Sequence, residues 1–127
     1  MLLQNSVAKR LKTNLIELMK EKYAMKRFLI TGATGNIGFE VIGFLCKNNS
    51  SNKVIAAVRD IEKAKKLFKD FPAVEFRQFD FEDTNSFEQS LTGIDRVFLL
   101  RPPHISDVDK FFRPLLQHFR LYNIHDV

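Results

Sequence analysis

Seven consecutive residues, Gly32-Ala33-Thr34-Gly35-Asn36-Ile37-Gly38, have the types and spacing to hold a phosphate through the main chain alone. Gly32 permits a tight turn off a strand, and Gly35 lets the backbone approach a ligand with no Cβ in the way. Gly38 lets the helix that follows pack closely. A helix opening near Asn36 aims its unsatisfied N–H groups at an anion, and its dipole favours negative charge there. The chemistry implied is a grip on the pyrophosphate of an NAD(P)-type dinucleotide. The plainer alternative is a tight turn that merely packs, and the surrounding elements decide between the two.

Those elements alternate. Phe28-Leu29-Ile30 reads as a short buried strand running into the turn, and Ile37, Val41, Ile42 and Leu45 then recur at helical spacing. Val54 to Val58 predicts a second strand. Asp60 is placed to cap a helix whose inner face is Ile61, Ala64, Leu67 and Phe68, with Pro72 beyond it. Val74, Phe76 and Phe79 fall on a third strand, followed by a short helix over 86–91 and a stop at Gly93. Val97-Phe98-Leu99-Leu100 is a fourth strand closed by Pro102-Pro103. Ser106 with Asp109 resembles a capping box for a last helix, in which Pro114 is expected to cause a kink or a break. The pattern predicts an α/β, Rossmann-like fold: a parallel sheet with helices on both faces, about four strands in the order 3-2-1-4.

The end of the second strand bears on which dinucleotide is held. An acidic residue there accepts from the ribose of NAD and repels the 2′-phosphate of NADP. Here the strand ends Ala57-Val58-Arg59, and Arg59 can form a charge-assisted fork on a phosphate. NADP(H) over NAD(H) is the expectation, against the alternative of a surface arginine paired with Asp60 or Glu62.

Bulk properties narrow the class. With 127 residues, 45% hydrophobic and 28% charged, the chain fits one globular domain. The single Cys46 leaves no partner for an internal disulfide, which makes a reducing cytoplasm the expected compartment. The net charge of +5 is uneven: residues 1–24 carry five cations against two acids, so +3 lies there and +2 on everything that follows. That is a solvated surface, so no nucleic-acid partner is expected, and no run approaches the length of a membrane span. Residues 1–24 are set apart as an N-terminal helical extension, with Val7, Leu11, Leu15 and Leu18 at helical spacing. A membrane-surface or partner-binding helix is one reading. The other is a non-native appendage, with Lys20-Glu21 encodable as a ribosome-binding sequence and translation starting at Met25, where the domain of 25–127 begins.

The run Thr31 to Gly38 resembles the opening of the NmrA-like atypical short-chain dehydrogenase/reductases. The likeness continues through Val58-Arg59-Asp60, Phe79-Asp80-Phe81 and Leu99-Leu100-Arg101-Pro102-Pro103, and covers roughly 25–117. It implies a Rossmann domain that binds NADP(H) or NAD(H), in a family holding both reductases and non-catalytic cofactor sensors. It implies that Arg59 contacts the 2′-phosphate and that Asp80 and Phe81 border the adenine, though Asp80 also suits a helix cap. Leu100 and Arg101, at a strand's carboxyl end, would lie on the nicotinamide side; a solvent-facing turn is the alternative for Arg101.

Catalytic residues are not legible. A reductase needs a proton donor near the hydride carbon, and neither Tyr23 nor Tyr122, which has Asp126 four positions on, makes a Tyr-x-x-x-Lys pair. His104, His118 and His125 have no metal-ligand spacing and read as surface or helix residues, and Cys46 as a core residue. The tail His118 to Val127 lacks a glycine stop and a following strand, so a premature end is expected, from a frameshift, a pseudogene or a split frame. The fourth strand would then expose an apolar edge and favour self-association. The expectation is a cofactor-binding remnant of an NADP(H)-dependent oxidoreductase, with a non-catalytic sensing or partner-binding module, or a fragment without function, as alternatives.

Overall fold

The computed structural model describes the backbone of every residue except Met1, Ala24, 49–51 and Pro103, and the side chains of those residues other than 2–5 and 17–23. The elements run α1 (Leu2–Tyr23), β1 (Arg27–Ile30), α2 (Asn36–Asn48), β2 (Lys53–Val58), α3 (Ile61–Leu67), β3 (Glu75–Gln78), α4 (Asn85–Leu91), β4 (Arg96–Phe98) and α5 (Val108–Leu121). The four strands form one parallel sheet in the order β3-β2-β1-β4, as the alternation of short strands and helices predicts.

Alternation along each strand sends side chains to opposite faces. Leu29, Ile55, Ala57 and Val97 meet Phe87 and Leu91 of α4 and Leu115 and Phe119 of α5. Ile30, Val54, Ala56 and Val58 meet Ile42 of α2 and Ala64 and Phe68 beside α3. Phenylalanine fills both layers: Phe79 stacks on Phe87, and Phe39 on Phe68. Leu67 departs from its expected inner position and is exposed, because α3 ends there and Phe68 fills the core site. The Asp60 carboxylate accepts from the Lys63 N–H at 3.1 Å, so α3 is capped as predicted.

The last third of the domain corrects one expectation and narrows two others. Asp107, not Ser106, caps α5, its carboxylate accepting from the Lys110 N–H at 3.0 Å. Pro114 does not split α5, which runs unbroken through it. The donor that Pro114 lacks would have served the carbonyl of Lys110, a residue on the exposed side where water can replace it. The tail does have a helix stop, made without glycine, and a single β-bridge after it. Asn123 takes φ +57°, the Asn123 N–H bonds to the Arg120 carbonyl, and the Ile124 N–H reaches back to the Phe119 carbonyl at 2.9 Å. That is a Schellman closure with asparagine in the glycine place, its apolar contact made by buried Phe119 and Ile124. Asp126 then forms a parallel bridge to Arg96, and its carbonyl accepts from the Val97 N–H at 3.0 Å. The outer edge of β4 is therefore paired at its first step, while Phe98 remains 46% exposed.

Helix α1 forms as its spacing predicts but makes no substantial contact with another element among the described residues. Val7, Leu11 and Leu15 all stand more than half exposed. Leu18 lies outside the described side chains. No described helix is long and apolar enough to cross a membrane.

Candidate functional site

A cavity of about 460 Å³ opens along the carboxyl ends of the strands, where ligands bind in open α/β sheets. Its middle is the glycine turn. Gly32 takes φ +61°, and a Cβ there would also come within 3.1 Å of the Leu100 Cβ. Gly38 is buried, and a Cβ on it would strike the Gly32 carbonyl and the Ala33 Cα, so α2 starts hard against the turn. Gly35 differs from both: a Cβ there would meet only the Gly32 carbonyl, at 3.4 Å, and otherwise open space. The Gly35 N–H bonds back to Gly32, and its carbonyl accepts from Phe39 at 2.9 Å. The amides of Asn36, Ile37 and Gly38 have no acceptor among the described residues. Thr34, Gly35, Asn36 and Ile37 are all exposed along this wall. Open donors at the start of a 13-residue helix, beside a Gly35 that leaves its side of the turn free of a Cβ, suit a diphosphate.

The other expected residues converge on the same cavity with different degrees of freedom. Arg59, at the end of β2, is exposed. No ion pair ties it to its neighbours among the described residues: Asp60 is engaged as the α3 cap and Glu62 pairs with Lys65. The Asp80 carboxylate accepts from the Glu82 N–H at 2.9 Å, which makes it a turn residue rather than a helix cap. Phe81 is 5% exposed, its ring stacked on Phe112 and edge-on to Phe79, so most of the ring belongs to the core. Leu100 lines the cavity at the end of β4. Arg101 also borders it, but its guanidinium turns back to the Ile105 carbonyl at 3.0 Å.

Two residues that sequence reasoning did not assign hold or face this site. Thr31 is buried, and its hydroxyl accepts from the Leu100 N–H at 2.7 Å while donating to the Leu100 carbonyl at 2.9 Å. It thereby locks the floor between β1 and β4. A threonine before the first glycine was the available signal, but the partner lies 69 positions away. His104, expected as an ordinary surface residue, lines the cavity beyond Pro102. The other histidines stand elsewhere: His118 lies against the Pro114 carbonyl and the Phe87 ring, and His125 beside β4. Cys46 is half-buried on α2, where desolvation pushes its thiol up. Among the described residues no His, Cys, Asp or Glu cluster could hold a metal ion.

The family model described as NAD(P)H-binding matches residues 32–110, which contain the turn and most of the cavity wall. Prestalk A differentiation protein A of Dictyostelium discoideum is 32% identical over 89 residues, 70% of this chain and 29% of that protein. An NADPH-dependent quinone oxidoreductase of Escherichia coli, solved with NADPH, superposes with a TM-score of 0.66 at 26% identity. It covers 76% of this chain and 34% of its own. The triphenylmethane reductase of Citrobacter sp., solved with NADP(H), gives 0.65 at 29% identity over the same shares. The chain thus spans about a third of the length of these proteins. With the turn, its open amides and this likeness together, the chain belongs to the NAD(P)H-binding family of Rossmann domains.

Proposed function

We propose that this chain is the cofactor-holding part of an NADP(H)-dependent reductase, with the diphosphate on the amides of 36–38 and the 2′-phosphate on Arg59. The observation that carries the reading is the row of open N–H groups facing a cavity that ends at a guanidinium without a partner among the described residues. The structures similar to it that hold NADPH or NADP(H) support the phosphate assignment. Asp80, Phe81 and Leu100 would line the two nucleoside ends. When bound, the dinucleotide supplies a hydride; the residues named here bind and orient it. Reduction of a quinone-type substrate would be the activity of the whole protein, and a reducing cytoplasm its setting.

Bound ligand stabilises a fold by about 2.7 kcal/mol at a hundredfold excess over its dissociation constant, so thermal unfolding reads the proposal directly. NADPH should raise the midpoint more than NADH at equal concentration. Arg59→Ala should cost NADPH about tenfold in affinity, as loss of a charge-assisted contact does, and leave NADH unchanged. An Arg59→Ala protein that still favours NADPH would overturn the 2′-phosphate assignment.

A second reading concerns β4. Among the described residues its outer edge is paired only to Asp126, through Arg96 and Val97, and Phe98 is exposed beside a cavity of about 490 Å³ lined by Phe28, Leu45 and Val127. We propose that a second copy of the chain associates through this edge.

A further inference from the structure

We propose that His104, and not Arg101, is the side chain this domain presents to the nicotinamide-ribose half of the dinucleotide, with Arg101 acting as the positioning residue behind it. The inference rests on the dinucleotide reading above. The cavity crosses the sheet from Arg59 at the end of β2 to His104 beyond the end of β4. A dinucleotide whose diphosphate sits on the central turn and whose 2′-phosphate meets Arg59 must send its other nucleoside toward β4. Two ionisable side chains border that end, Arg101 and His104.

Their commitments differ. The Arg101 guanidinium is spent on the Ile105 carbonyl. The His104 ring is exposed and takes no hydrogen-bond partner among the described residues. The residue that follows His104 is anchored in three ways. Ile105 is fully buried in the α4–α5 layer, its N–H bonds to the Pro102 carbonyl at 3.1 Å, and its own carbonyl holds Arg101. His104 therefore stands directly before an anchored residue, which cuts the ordering cost of any contact it makes. An imidazole can both donate to and accept from hydroxyl and amide groups, and the nicotinamide riboside carries both.

Titration calorimetry of the full chain with two ligands separates the possibilities. NADPH spans the whole cavity, whereas adenosine 2′,5′-bisphosphate reaches only the Arg59 end. His104→Ala should weaken NADPH about five- to tenfold, the size of one hydrogen bond, and leave the bisphosphate unchanged. His104→Gln, which keeps a donor and an acceptor, should recover part of the loss. Arg101→Ala should also weaken NADPH alone, with no further loss when combined with His104→Ala; additive losses in the double variant would overturn the positioning role. The proposal is overturned if His104→Ala leaves NADPH binding unchanged or weakens both ligands equally. It also falls if wild-type protein binds NADPH no more tightly than the bisphosphate. Failure of the wild type to bind either ligand overturns the dinucleotide reading itself.

Discussion

On one face of the sheet the layer is complete. Helices α4 and α5 cover β1, β2 and β4, and Phe87, Leu91, Leu115 and Ile105 are all fully buried between them. On the opposite face α2 and α3 cover β2 and β1, but among the described residues cover stops before β4, where Phe98 stands 46% exposed. The first face is closed, and the second leaves the Phe98 ring open at its edge. The difference follows from connectivity: right-handed crossovers to the left of β1 and to the right of it place their helices on opposite sides.

Substitutions on the two faces should therefore behave unequally. Phe87→Ala, on the closed face, should cost about 3–5 kcal/mol in urea unfolding through the cavity it leaves; a loss below about 1 kcal/mol would show that this face is not tightly packed. Gly38→Ala puts a methyl against the Gly32 carbonyl and the Ala33 Cα. It should cost about 1–3 kcal/mol by overpacking and lower NADPH affinity at least tenfold in calorimetry, because the open amides move with the helix. Phe98→Ser should change stability by no more than about 0.5 kcal/mol while reducing self-association in sedimentation velocity. A monomeric wild type would remove the proposed role of that edge and leave the unequal packing as the remaining contrast.

What was legible in the sequence was what depends on local chemistry. The glycine turn declared itself because three positions needed glycine for three separate reasons, and the strand before it and helix after it could be read from period alone. The sheet order followed from short connections and handedness. What escaped depends on distant partners or on rotation about an axis. Asn123 closes α5 in a left-handed conformation that glycine usually takes, so the stop was invisible until the Phe119 and Arg120 carbonyls were seen to need it. Phe81 borders the cavity as expected of a residue at the third strand's end, but that Phe79 and Phe112 also pack its ring could not be read from spacing. His104 looked ordinary because nothing in its neighbours by sequence reveals that Ile105 anchors its turn at the cavity mouth.

The Thr31 hydroxyl has a mechanical meaning. One oxygen both accepts from and donates to Leu100, joining the turn after β1 to the loop after β4 at a point where strand pairing has already ended. The two rims of the cavity are thus pinned like the leaves of a hinge with its bolt driven home. A load applied at one rim is borne by the other, and grasping the diphosphate should stiffen the loop that carries Arg101 and His104 before anything touches it.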